Sequence, residues 1–202
     1  LNMLDDQVSS NTVIIDNIVY SLNYEEKTAK AISNQAVNVY INKSLIFPQF
    51  ITNEAQKFTV TSIGKHCLED TSCISDFMFF EDIPYMPSTI ESITIPSSVK
   101  ELEEGWCNGT VDLNEINISP DNPYFKIYQN EFIIGKSTIE QENFDVLVFC
   151  FRHISTVKIP EFIEIIGPYA FNHSSIHNLI IPKESKLPGT LVYDDFRPAY
   201  PL

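Results

Sequence analysis

Apolar positions return along the chain in a phrase of fixed shape, Leu/Ile-x-x-Ile/Val-x-Ile, usually followed by Pro. The clearest copies are Ile90-Glu-Ser-Ile93-Thr-Ile95-Pro96, Ile154-Ser-Thr-Val157-Lys-Ile159-Pro160 and Ile176-His-Asn-Leu179-Ile-Ile181-Pro182. Looser copies are Leu113-Asn-Glu-Ile116-Asn-Ile118-Ser119, Ile74-Ser-Asp-Phe77-Met-Phe79 and Ala36-Val-Asn-Val39-Tyr-Ile41. The alternation closing each phrase predicts a short strand, which Pro stops from extending. From Ile159 to Ile181 is 22 positions, and from Ile95 to Ile118 is 23. Similarity at such a period predicts a solenoid. One unit cannot bury its aliphatic anchors alone, so the units stack, sharing a core and a ladder of short parallel strands.

Each unit carries a second arm. Ile163-Glu-Ile-Ile166-Gly167 follows Pro160, and Pro168-Tyr169-Ala170-Phe171 turns the chain, with Gly expected to permit the corner. In an earlier copy Val99-Lys-Glu-Leu102 is the arm, and Trp106-Cys107 stands where Ala170-Phe171 stands. A partial copy runs from Val60 to Leu68, with Cys67 in the small slot and Leu68 in the large one. Three stretches break the period. Residues 12–34 read as a hairpin that caps the stack, with strand-like runs Val13–Ile15, Ile18–Leu22 and Thr28–Ile32. Phe77 to Ile90 reads as a distorted unit. Residues 120–153 read as an inserted hairpin with strands Glu131–Gly135 and Phe144–Phe149. The expected organisation is a single domain over 1–202: cap 12–34, repeats 36–119 and 154–183, insertion 120–153, and an irregular tail 184–202.

Composition narrows the function classes. Fourteen Phe, nine Tyr and many Ile and Val favour strands over helices. A net charge of −14 repels phosphate backbones and anionic lipid, so neither nucleic acid nor a lipid surface is an expected partner. No window approaches the roughly 20 consecutive apolar residues that span a bilayer. Leu1-Asn-Met-Leu-Asp-Asp lacks the basic and apolar regions of a signal peptide. Cys67, Cys73, Cys107 and Cys150 make no C-x-x-C pair, so a zinc finger is not expected. Reduced core thiols are one reading of them, and disulfides in an oxidising compartment are another.

Catalytic chemistry finds little footing. His66, Cys67 and Asp70 lie close in sequence, but the repeat buries Cys67, and a nucleophilic thiolate needs an accessible, electropositive setting. His173 and His177 have the spacing of some metal ligands, yet fall on a turn and a strand rather than one helix face. The pairs Glu25-Glu26, Glu103-Glu104 and Asp194-Asp195 read as solvated acidic surface. Four N-x-S/T sequons begin at Asn42, Asn108, Asn117 and Asn172, and Asn108 and Asn172 occupy the same turn in different units. Asn there suits a turn with positive φ. No cofactor and no metal are expected.

Taken together, the spacing from Ile154 through Val157, Ile159, Pro160, Ile163, Ile166 and Gly167 to Ala170-Phe171 resembles the BspA-like leucine-rich-repeat family. Its members are surface proteins of gut and oral bacteria and of parasitic protists. The run Asn117-Ile-Ser-Pro-Asp-Asn-Pro-Tyr-Phe125, followed by Asn130-Glu-Phe-Ile-Ile134, is similar to an insertion used in this family. The Asp16-Asn-Ile-Val-Tyr20 hairpin resembles its cap. Glu103 in place of Gly, and Trp106-Cys107 in place of Ala-Phe, depart from the pattern. The resemblance implies a β-rich leucine-rich-repeat solenoid with little helix, and a binding protein without enzyme activity, often an adhesin for host or matrix proteins. A protein or glycan partner at the cell surface or outside the cell is expected, with a cytoplasmic interaction scaffold as the other reading. The x positions of the phrase would form the binding face, notably Tyr40, Met78, Thr94, Asn117, Lys158 and Ile180, since aromatic and large apolar residues anchor interfaces.

Overall fold

A computed structural model describes residues 11–34, 43–68 and 90–182. Every regular element among the described residues is a strand. The stretch expected to be a hairpin over 12–34 is a three-stranded antiparallel meander: β1 (Thr12–Ile15), β2 (Ile18–Asn23) and β3 (Thr28–Asn34). Asp16 and Asn17 take φ of 50° and 65°. This gives the left-handed two-residue turn that matches the twist of a hairpin. Ile18, Tyr20 and Leu22 alternate into the core.

One parallel ladder is built from the repeated phrase and a second from the arms that follow it, with β3 of the meander at its end. In the first, β4 (Ser44–Ile46) pairs with β7 (Ser92–Ile95), and β7 with β9 (Glu115–Ile118). Leu45, Ile93 and Ile116 share one register position, and Ile95 lies opposite Ile118. The copies at 36–41 and 74–79 lie outside the described residues. The ladder neighbour of β7 is therefore Leu45-Ile46-Phe47-Pro48, a copy of Ile93-Thr94-Ile95-Pro96 that the sequence reading passed over. In the second ladder, β3 pairs in parallel with the end of β6 (Gln56–Ile63), and β6 with β8 (Glu101–Leu102). The start of β6 turns back antiparallel on β5 (Phe50–Asn53).

Gly has a different use from the one expected. The Gly64 amide donates to the Ala31 carbonyl at 2.7 Å, and a Cβ on Gly64 would stand 2.8 Å from that oxygen. Gly167 stands in the same relation to Leu147, with 2.8 Å for the hydrogen bond and 3.0 Å for an added Cβ. The glycine thus lets one rung approach the carbonyl of the rung before it. The corner itself is turned two residues later, by His66, Gly105 and Tyr169, with φ of 55°, 65° and 59°. Glu103 occupies the Gly slot of the middle unit. Its carboxylate turns back over the preceding rung, accepting the Lys65 amide at 2.9 Å and pairing with Lys30.

The insertion supplies three strands of a sheet, in the order β10 (Phe125–Tyr128), β11 (Phe132–Gly135) and β12 (Val146–Cys150), and β14 (Ile165–Ile166) of the following unit adds the fourth. Only the last pair, β12 with β14, is parallel. β10 was missing from the expected hairpin. β11 is buried throughout. Ile133 faces the core built from the meander and the first units, while Phe132 and Ile134 face a second core with Val157, Ile159, Ile163, Ile166, Ala170 and Phe171. The insertion is thus an internal wall between two cores. Asn122 fixes its entrance: its amide nitrogen donates to the carbonyls of Pro96 and Val99, and its oxygen accepts the amides of Tyr124 and Phe125, all at 2.9 Å. Beyond the wall, β13 (Thr156–Lys158) pairs in parallel with β15 (Asn178–Ile180).

Candidate functional site

The parallel ladders decide which side chains reach solvent. In β7 the pattern alternates, with Ile93 and Ile95 buried and Ser92 and Thr94 partly exposed. Register places Ile46, Thr94 and Asn117 side by side across β4, β7 and β9. Lys158 and Ile180 lie side by side on β13 and β15. Four of the six expected partner-binding residues therefore fall into two rows, Ile46–Thr94–Asn117 and Lys158–Ile180. Tyr40 and Met78 lie outside the described residues. Ile46, 66% exposed, was missed, although Pro48 at the usual offset was the signal for it; Ile180 is 56% exposed. Asn117 donates to the Glu115 carboxylate at 2.8 Å, and on the neighbouring row Ser92 donates to Ser44 at 2.8 Å. The rows offer hydroxyl, amide, ammonium and bare aliphatic surface on a backbone that parallel pairing holds rigid.

The corners form a second polar assembly, buried rather than exposed. Asn108 and Asn172 have the same place in their units but are not the left-handed residues of the turn; Gly109 and His173 are, with φ of 80° and 57°. Both asparagines are buried, which takes two of the four sequons out of the accessible surface. The Asn172 amide donates to Asn108 Oδ1 at 2.5 Å, and the Asn108 amide nitrogen stands 3.2 Å from His66 Nδ1. The His66 and Tyr169 rings meet edge to face at 6.2 Å. His66 also lies against Gly105, where an added Cβ would be 3.2 Å from its Cε1. Arg152 is buried and donates from Nη2 to the Cys107 carbonyl at 3.3 Å and to Thr110 Oγ1 at 3.2 Å. The shared turn position of Asn108 and Asn172 was legible in the sequence, but Arg152 was not, since it falls at the end of the insertion where no repeat position predicts burial.

Burial also sets the acid–base character of these groups. Desolvation, with Glu103 adding to it, pushes the Cys67 thiol up to about 12; Cys150 rises to about 12 and Cys107 to about 11. That is the reverse of what a nucleophilic thiol needs. The three are free thiols, and among the described residues no group of three or more His, Cys, Asp or Glu is placed to hold a metal. Desolvation, helped by the Arg152 guanidinium, pushes His173 down to about 4. An unfolded histidine titrates near about 6.5, so between these values the unfolded chain binds the extra proton. The stability His173 confers is therefore present at neutral pH and lost as pH falls from about 6.5 towards 4. The expected result is a melting temperature that drops less steeply over that window in His173→Asn, a substitution that keeps a residue tolerant of positive φ. Parallel slopes for the two proteins in a thermal-melt series against pH count against it.

Comparison with known proteins places these features in a family. A model of the BspA type leucine rich repeat region matches in six copies, over residues 30–132 and 85–194. Among solved structures, the chain is similar to a leucine-rich repeat protein from Bacteroides capillosus at 15% identity and a TM-score of 0.45, covering 89% of this chain and 88% of that one. It is similar to a leucine-rich repeat protein from Bacteroides ovatus at 20% identity and a TM-score of 0.48, covering 87% of this chain and 36% of that one. The pneumococcal vaccine antigen PcpA matches at 21% identity and a TM-score of 0.45, with 88% of this chain and 40% of that chain covered. The chain thus spans less than half the length of the last two. No curated protein matches. On the repeated phrase, the parallel ladders and a family model that spans most of its residues, the chain belongs to the BspA-type leucine-rich-repeat family.

Proposed function

We propose that the chain is a noncatalytic recognition module that presents the outward rows of a solenoid to a protein or glycan partner at a cell surface. On this reading residues 1–202 form one domain, the meander over 12–34 covers one end of the stack, and the insertion divides its interior. The observation that carries it is the pair of rows, Ile46–Thr94–Asn117 and Lys158–Ile180, standing on parallel ladders. A preformed face limits the ordering cost of association, so many weak contacts suffice for binding. Exposed isoleucines at 66% and 56% supply apolar area, while Thr94, Asn117 and Lys158 supply directional contacts.

The test is capture of partners from host-cell extracts and on glycan arrays, comparing the native chain with Ile46→Asp/Ile180→Asp and with Thr94→Ala/Asn117→Ala/Lys158→Ala. Loss of the captured species in both variants, with melting temperatures unchanged, is the expected result. Undiminished capture by both removes the row as the binding face.

A further inference from the structure

A second concave surface lies beside the insertion and belongs to none of the rows. It is an open groove of about 580 Å³, walled by Lys126 and Tyr128 on one face of β10, by Glu142 to Asp145 before β12, and by Phe162 and Glu164 before β14. Its walls are pinned together. The amides of Glu164 and Ile165 both donate to the Asp145 carbonyl, at 2.8 and 3.0 Å. The Asp145 carboxylate accepts from the Ser137 amide at 2.9 Å, from Ser137 Oγ at 2.7 Å and from Gln141 at 2.5 Å. The groove is thus formed before anything binds in it.

Its chemistry is aromatic and acidic. Tyr128 and Phe162 meet edge to face at 5.2 Å, and Phe162 is 45% exposed, although it follows Glu161 in a turn where nothing in the repeat calls for a large apolar residue. Lys126 Nζ lies 4.1 Å above the Phe144 ring, so one wall already holds an ammonium group on an aromatic face. Three carboxylates, Glu142, Asp145 and Glu164, line the groove with Lys126, and Lys136 Nζ stands 5.2 Å from the same Phe144 ring, so carboxylates still outnumber ammonium groups there. Glu142 and Glu164 have no ion-pair partner among the described residues. The chain as a whole carries a net charge of −14.

From the aromatic wall, the unpaired carboxylates and the overall charge we infer that this groove receives a basic, extended segment of a protein partner, with a Lys or Arg side chain laid across Phe162 and Tyr128. Ring faces attract cations through their quadrupole, and a carboxylate at the rim adds a charge-assisted hydrogen bond. An acidic surface draws a basic partner in, so salt weakens association. A neutral glycan would gain from the rings but would leave Glu142 and Glu164 without partners. The inference rests on the recognition reading but places a second contact outside the rows.

The test is titration of the full chain with an Arg-Gly repeat peptide, its Glu-Gly counterpart and a neutral N-acetylglucosamine oligomer, followed by calorimetry. Binding of the Arg-Gly peptide alone is expected, weakened roughly tenfold by Glu142→Gln/Glu164→Gln and again by Phe162→Ala. Glu25→Gln/Glu26→Gln, which removes the same charge from the β2–β3 turn, is the control and is expected to change affinity less than about twofold. Equal weakening by the two charge pairs would show attraction to the general field and overturn the inference, as would binding of the oligomer but not the peptide. Because the row substitutions leave the groove intact, loss of captured partner in those variants alone would sink the groove and spare the recognition reading. Loss in the groove variants alone would do the reverse for the rows.

Discussion

Ile93→Ala is expected to lower the stability of the chain by about 4 kcal/mol, with the melting temperature falling by roughly 8–16 °C. Ile93 has no exposed surface and sits at the middle of the first ladder, between Leu45 of β4 and Ile116 of β9. Truncating it removes apolar burial and leaves a cavity that the flanking rungs cannot close, because their backbones are hydrogen-bonded to each other. Thr94→Ala, one residue on and facing outward, is the comparison, with an expected change within about 0.5 kcal/mol. Urea unfolding of both variants, with slopes compared, is the measurement. Similar midpoints for the two would mean that the inward and outward positions of β7 have been misassigned.

That assignment was legible in the sequence because two signals coincide there. Alternation of period two names the inward residues, and Pro96 at a fixed offset names the end of the strand. The same two signals sit in Leu45-Ile46-Phe47-Pro48, but that copy is short and lies between two looser ones, so it was passed over. β8 and β14 are only two residues long, yet the repeat announced them, inside the arms Val99–Leu102 and Ile163–Ile166. Pairing between distant segments leaves no local trace. The parallel pairing of β3 with β6 joins the meander to the second ladder through contacts between segments far apart in sequence. The two outward rows were half legible: alternation gives the outward positions on each strand, while register, which decides who stands beside whom, is a property of the paired strands. The groove was not legible, since two of its walls, β10 and the loop before β12, follow no repeat, and the third, at Phe162 and Glu164, carries side chains that the repeat leaves unspecified. Glu103 shows the limit from the other side. The pattern calls for Gly, and the substitution is accommodated because its carboxylate meets Lys30 and the Lys65 amide on earlier rungs.

Asn122→Ala is expected to cost about 3 kcal/mol, more than its place in an irregular stretch suggests. The side chain is 6% exposed and satisfies four backbone groups, two carbonyls of the unit before it and two amides at the start of β10. Alanine leaves all four without that partner in a site with little access to water, and buried polar groups without partners are what make such losses large. Asn122→Asp separates the two halves of the clamp. An ionised carboxylate still accepts the amides of Tyr124 and Phe125, but its second oxygen faces the Pro96 and Val99 carbonyls, which have no proton to offer. The aspartate variant is therefore expected to be destabilised at neutral pH and to recover part of the loss on acidification, when the protonated carboxyl regains one donor. The reasoning is that the fold favours the protonated form, so its carboxyl titrates above an unfolded one, and stability rises as pH falls through that value. Urea midpoints of the native chain and both variants at neutral and mildly acidic pH decide the matter. If Asn122→Asp loses stability on acidification in step with the native chain, the carbonyl contacts are not what the asparagine is there to make, and the entrance to the insertion is held by the turn alone.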